Sequence, residues 1–161
     1  MVMLGHTEEG IAQIMKGLDL NKVSIEKVHW SGALFALADA QAKLGLLQNG
    51  LNTLSEALTF VEERNERYYE AELYRLKGKL LIVQGNQTEA ETCLHKAIEV
   101  ARGQQAKFWE LRAVMELCHL WQKQEKFMEA HQILSEIYSW FTEGFDTQDL
   151  TDAKLLLQEL E

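Results

Sequence analysis

Five histidines, two cysteines and two spaced glycine pairs are the residues of this chain whose types could do chemistry. Gly5-x4-Gly10 and Gly45-x4-Gly50 open like a phosphate-binding loop, but Ile11-Ala12 and Leu51-Asn52 follow, not Lys and then Ser or Thr. The amine that reaches the phosphates and the hydroxyl that holds magnesium are both missing, so neither pair reads as a nucleotide site. His6, His29, His95, His119 and His131 include no two at the four-residue spacing of a helical zinc pair, and there is no CxxC. Cys93 and His95 stand two apart, so on one helix they diverge. A Cys–His nucleophile needs partners close in space, which spacing alone leaves open; the competing role for Cys93 and Cys118 is as small buried hydrophobes. Carboxylates such as Glu62-Glu63 and Glu89 with Glu91 fit solvated helix faces. Trp30, Trp109, Trp121 and Trp140 fit core packing, an exposed one being a contact candidate. No catalytic, metal or cofactor site is expected.

With 161 residues, 47% of them apolar and 25% charged, the chain suits one folded domain or a short repeat array. Proline is absent, which favours uninterrupted helices over a loop-rich sandwich. The net charge of −9 argues against a nucleic-acid partner, which requires a basic face. Much of it lies in 136–161, where seven acidic side chains face Lys154 alone. Two cysteines make no disulfide framework, and apolar runs such as Leu80-Leu81-Ile82-Val83 are far too short to span a membrane. The start, Met1-Val2-Met3-Leu4-Gly5-His6, lacks the basic and apolar stretches of a signal peptide. A cytoplasmic protein with reduced thiols and no membrane partner is expected.

The elements that must position any site follow from a repeat of 40 residues. Gly5, Gly45, Gly85 and Glu125 share one column; Gly10, Gly50, Ala90 and Ala130 the next. Ile14, Leu54, Leu94 and Leu134 follow, then Gly17, Ala57, Ala97 and Ile137. A small residue, a large apolar one four later and usually a small one three later mark one face of a helix. Upstream lies a second helix per copy with small residues at Ala38, Gly78 and Cys118. Each copy is therefore a helical hairpin closed at small-residue contacts. This predicts a helix over 7–19, hairpins of 24–43 with 47–64, 66–84 with 87–102 and 105–123 with 127–141, and a last helix over 147–160. Asn86-Gln87-Thr88-Glu89 has the form of a capping box, Asp146 and Asp149 suit the start of the last helix, and Gly45, Gly85 and Gly103 suit helix ends.

Tyr74-Arg75-Leu76-Lys77-Gly78-Lys79-Leu80-Leu81 followed by Ala90-Glu91-Thr92-Cys93-Leu94 resembles the tetratricopeptide (TPR) repeat over almost the whole chain, without its proline and with six extra residues per copy. The fold expected is all-α, a right-handed TPR-like superhelical array of antiparallel helix pairs. It comprises a half repeat at 1–22, repeats at about 23–64, 65–103 and 104–142, and an acidic capping helix at about 146–161. A half repeat leaves one face of helix 7–19 uncovered, which suggests self-association there and a piece of, or a shortened relative of, a longer array. The phrases at 69–78, 104–112 and 140–150 resemble the C-terminal array of bacterial signalling proteins that join a class III adenylate/guanylate cyclase to a STAND ATPase. Neither of those catalytic domains is present in the sequence.

What the TPR resemblance implies is a concave groove lined by the first helix of each pair. The groove-facing positions are Phe35 and Asp39; Glu72, Arg75 and Lys79; and Arg112, Met115, His119 and Lys123. The cations among them suit an acidic peptide, a carboxyl terminus or a phosphorylated segment. The alternative is that they pair with helix carboxylates such as Glu72 and Glu116. Phe35 and Asp39 stand where a chaperone-tail clamp has Lys and Asn, so that ligand is not expected. The expected function is a protein–protein interaction or regulatory scaffold module without catalysis. Small-metabolite sensing within a signalling ATPase or cyclase is the alternative, and it calls for a deep pocket with aromatics beside Arg75 or Arg112.

Overall fold

In a computed structural model of the chain, the structure describes residues 9–13, 15, 16 and 30–161. Residues 9–13, 15 and 16 are helical. Then come α1 (Trp30–Lys43), α2 (Leu47–Arg64), α3 (Glu70–Gln84), α4 (Gln87–Gly103), α5 (Lys107–Lys123), α6 (Phe127–Tyr138) and α7 (Gln148–Glu159). There is no strand among the described residues, and no helix there is long and apolar enough to cross a membrane. Gly5, His6, Ile14, Gly17, His29, six of the thirteen residues of the expected helix 7–19, on which the expected self-association rests, and the expected start of a helix at 24 lie outside the described residues.

The repeat columns become the core. Gly50, Leu54 and Ala57 on α2, Ala90, Leu94 and Ala97 on α4, and Ala130, Leu134 and Ile137 on α6 are all buried. Small residues on both helices of a hairpin let the backbones meet. A Cβ on Gly50 would lie 3.3 Å from the carbonyl oxygen of Ala38, and one on Gly78 would lie 3.2 Å from that of Ala90. In the third hairpin the Cys118 thiol reaches the equivalent oxygen, donating to Ala130 at 3.3 Å. The pairs 38 with 50, 78 with 90 and 118 with 130 thus form one contact made three times.

Each α helix packs on its chain neighbours, and the first helices of the pairs also touch one another: α1 on α3, α3 on α5 and α5 on α7. Among the described residues the second helices, α2, α4 and α6, make no such mutual contacts. Helices that meet on one side and separate on the other curve the array, placing α1, α3, α5 and α7 on the concave face. α7 occupies the position of a first helix, 40 residues beyond α5 in register. Its Leu150, Ala153 and Leu156 are buried on the preceding hairpin.

Left-handed residues end the helices, also in register. Gly45, Gly85 and Glu125 have φ of 76°, 88° and 60°, and Asn65 and Gln105 have 54° and 56°. Gly85 caps α3 through its N–H to Ile82 and Leu81 carbonyls, as expected. Gly103 instead ends α4 as a helical residue, and Gln105 takes the left-handed turn. At α4 the Asn86 side chain accepts from the Glu89 N–H at 3.3 Å, the expected cap. The Glu89 carboxylate takes the Asn86 side-chain amide at 2.9 Å rather than its backbone N–H, which goes to the Leu81 carbonyl, so the capping box is only half formed. At α7 the cap residue is Thr147, which makes no side-chain cap bond. α3 begins at Glu70 rather than 66 because Asn65 turns left-handed first, and α6 stops at Tyr138 rather than 141, in a tight turn.

These contacts predict opposite effects for two glycine changes. Gly78→Ala gains about 1 kcal/mol of helix propensity, but its methyl would sit 2.7 Å from Leu94 Cγ. Overpacking of about 1–3 kcal/mol should therefore lower the Tm. Glu125→Gly removes left-handed strain of about 1–2 kcal/mol and adds about 0.5–1 of chain entropy, so the Tm should rise slightly. Calorimetry of both variants checks the signs.

Candidate interaction groove

On the concave face α3, α5 and α7 enclose a groove of about 550 Å³. Arg75 and Lys79 come from α3, and Arg112, Met115, Glu116 and His119 from α5. The opposite wall is α7, with Asp149, Asp152 and Glu159 beside Leu155 and Leu156. Five of the nine predicted positions thus come together here. Glu72 lies beneath them, its side chain 5% exposed. Phe35 packs on Tyr69, ring centroids 5.9 Å apart, outside the groove lining. Asp39 pairs with Lys43 at 2.6 Å, and Lys123 sits exposed at the end of α5 away from this lining.

A chain of alternating charges underlies the groove. Arg75 binds Glu72 through both oxygens, Nε to Oε1 at 2.8 Å and Nη2 to Oε2 at 2.9 Å. Its Nη1 donates to Glu116 on the next inner helix at 3.4 Å, and Lys79 joins the same carboxylate at 3.0 Å. Arg112 reaches back to Glu72 at 3.8 Å and forward to Asp149, with Nε and Nη2 each 2.8 Å from Oδ2. The cations therefore pair with carboxylates, so the floor is internally balanced and not a bare basic strip. Burial would lower the Arg75 pKa, but the Glu72 hydrogen bond and the charges of Glu72, Glu116 and Asp39 outweigh it and raise it. Lys79 stays about half exposed and Arg112 two-fifths exposed, each with donors left over. The His119 Nδ1 lies 3.3 Å from Gln122 Oε1, at the groove rim.

The α7 wall is what the reading of single repeats missed. Its signal was the 40-residue step itself: Arg112 leads to Asp152, Met115 to Leu155 and His119 to Glu159. The acidic side expected of a mere capping helix therefore faces the groove, and Asp149 closes on Arg112 instead of capping α7. Among the described residues no aromatic lines the groove, and no cluster of three or more His, Cys, Asp or Glu could hold a metal.

The thiols are quiet. Cys118 is fully buried, and burial pushes its pKa up to about 12; burial also raises that of Cys93. Neither supplies a thiolate near neutral pH. Trp30 is buried, Trp109 and Trp121 are half-buried, and Trp121 Nε1 donates to Glu91 at 2.7 Å. Trp140 departs from the expected core role: 58% of it is exposed.

Among solved structures, the chain is similar to a Podosopora anserina protein described as a kinesin light chain with nearly identical TPR-like repeats. The two share 13% identity and superpose with a TM-score of 0.75, over 97% of this chain and 77% of that one. The fold is thus a TPR-like repeat array. No protein-family model matches the chain, and no curated protein matches it in sequence.

Two outcomes follow. Arg75→Ala strips Glu72 of its bidentate partner and should cost about 3–5 kcal/mol, whereas Glu72→Leu/Arg75→Met should recover most of that loss. Denaturant titration of both variants measures it. Cys118 keeps its proton in the folded state up to a pKa of about 12, while an unfolded thiol ionises near pH ~8.5. Its share of the stability should be complete below that lower pKa and fade as pH rises between the two values. Thiol labelling at neutral pH should be slow until unfolding.

Proposed function

We propose that this chain is a protein-interaction module that receives an extended partner segment in the concave groove, without catalysis of its own. One observation carries the reading: Arg75, Lys79 and Arg112 on α3 and α5, with Glu116 among them, face Asp149, Asp152 and Glu159 on α7 across Met115, Leu155 and Leu156. A segment fitting it places carboxylates toward Lys79 and Arg112, a donor toward Asp152 or Glu159, and an apolar side chain between them. The carboxylate contact is the acidic component of the partner; Arg112 can hold it with a face not used by Asp149. Recognition by a preformed surface keeps the ordering cost of binding on the segment rather than on the array.

Small-ligand sensing has less support. The volume suits a small molecule, but aromatic walls beside Arg75 and Arg112 are lacking in the described residues. The setting in a cyclase–STAND signalling protein rests on the three sequence phrases, and the neighbouring reading frame of the source gene tests it: a protein without ATPase or cyclase motifs removes it.

Peptide display against the immobilised chain tests the central reading. Enriched segments should combine acidic and apolar residues. They should bind at least about tenfold more weakly to Lys79→Glu/Asp152→Lys, and equally well to Lys96→Glu on the outer helix α4. Arg75 is unsuitable for this purpose because its loss would unsettle Glu72. Segments that ignore the groove variant but respond to Lys96→Glu would refute the groove.

A further inference from the structure

Two inner helices begin on a motif that the groove does not use, running into α3 and forming the first turn of α5. Arg67-Tyr68-Tyr69-Glu70 and Lys107-Phe108-Trp109-Glu110 are the same tetrad, cation–aromatic–aromatic–Glu, 40 residues apart. Within each, the glutamate turns inward and the cation stays outside. Glu70 and Glu110 are buried, and Arg67 and Lys107 pair with them at 3.1 Å and 2.8 Å from the surface side. Arg102, half exposed, covers Glu110 as well at 2.6 Å. The side-chain atoms these pairs leave open to solvent are thus mainly those of the cations, each with its carboxylate partner beneath it, on a chain whose net charge is −9.

Between the two tetrads lies a cavity of about 690 Å³ lined by Arg67, Tyr68, Gln104, Lys107, Phe108 and Trp109, together with Ala106. Among the described residues its charged lining consists of the two cations. It shares no residue with the concave groove. The aromatic rings are held by one another: Tyr68 meets Trp109 edge-on at 5.3 Å, and Tyr69 lies 6.0 Å from Trp109. Phe108 packs on Phe141 at 4.9 Å, and Phe141 on Trp140 at 5.2 Å. Lys107 Nζ sits 5.7 Å from the Trp140 ring centroid, which extends the strip. Tyr68 remains 65% exposed and Trp140 58% exposed. Rigid, exposed aromatics beside cations whose counter-ions are buried are the composition of an interface hot spot.

We infer that this edge is a second docking site, which takes an acidic segment of a partner protein carrying an aromatic or large apolar side chain between carboxylates. The side chain enters the cavity against Tyr68 and Phe108, and the flanking carboxylates meet Arg67 and Lys107. Charge complementarity favours this occupant: among the described residues the charged groups lining the cavity are Arg67 and Lys107, with Glu70 and Glu110 buried behind them. A cavity of this volume seats one or two side chains. A nucleic-acid strand would be repelled by the net charge of the whole chain. The site stands independently of the groove.

The test uses the full chain and a capped Asp-Asp-Phe-Asp-Asp peptide, with Trp fluorescence and calorimetry as readouts. Saturable binding is expected, weakened by added salt and lost with Asp-Asp-Ala-Asp-Asp or Lys-Lys-Phe-Lys-Lys. Tyr68→Ala, a change at an exposed ring, should weaken it about tenfold, with helicity and Tm unaltered. Lys79→Ala in the groove should leave it unchanged, so failure here is distinguishable from failure of the groove. Absence of saturable binding, equal binding of the basic peptide, or loss on Lys79→Ala with none on Tyr68→Ala would overturn the inference. Tighter binding of a single-stranded oligothymidylate at Tyr68 would also overturn it.

Discussion

The close approach of paired helices at three small-residue contacts, 38 with 50, 78 with 90 and 118 with 130, is the constraint on which the rest of this structure depends. At Gly50 and Gly78 even a methyl would crowd a carbonyl oxygen of the opposite helix, and at the third contact the Cys118 thiol already touches one. Once backbones meet there, Leu54, Leu94 and Leu134 fill the seams, fully buried. Repetition of one contact at one spacing gives each hairpin the same shape. Stacking equal hairpins makes an array in which neighbours alone need to interact.

The stacking direction is fixed by polar chemistry as well as by apolar burial. The chain of contacts from Lys79 through Glu116, Arg75, Glu72 and Arg112 to Asp149 joins three successive inner helices. Partly buried ion pairs of this kind contribute little net stability over an apolar replacement, yet they penalise any register that leaves one charge alone. They also leave Lys79 and Arg112 partly exposed across the groove from Asp152 and Glu159. The same separation of roles recurs at the edge, where glutamates turn inward and cations outward. Each such pair thus has a buried member that packs and an exposed member that faces solvent.

Most of the fold was legible because the repeat is gapless. Small-large-small columns on the second helices, Gly45 and Gly85 as left-handed ends, and Asn86 as a cap all follow from local chemistry written in the residues. The start of α3 was less legible, since nothing in Glu66-Arg67-Tyr68-Tyr69 forbids helix; the left-handed Asn65 and the burial of Glu70 decide it. In the groove, spacing placed Arg75, Lys79, Arg112, Met115 and His119 together, but it could not show which carboxylates would reach them. Asp149 illustrates the gap: at the start of a helix it suits a cap, and only tertiary packing brings Arg112 within 2.8 Å. The inward turn of Glu70 and Glu110 was equally hidden, because a glutamate beside aromatics on an isolated helix reads as solvated.

The most direct test of a recognition role for the concave face is methyl NMR of the methionines. Met115 lies in the groove floor, while Met128, 84% exposed, lies outside it on α6. During titration with a display-selected segment, the account predicts that the Met115 methyl shifts saturably while Met128 stays in place. Movement of Met128 with Met115 unmoved would contradict it.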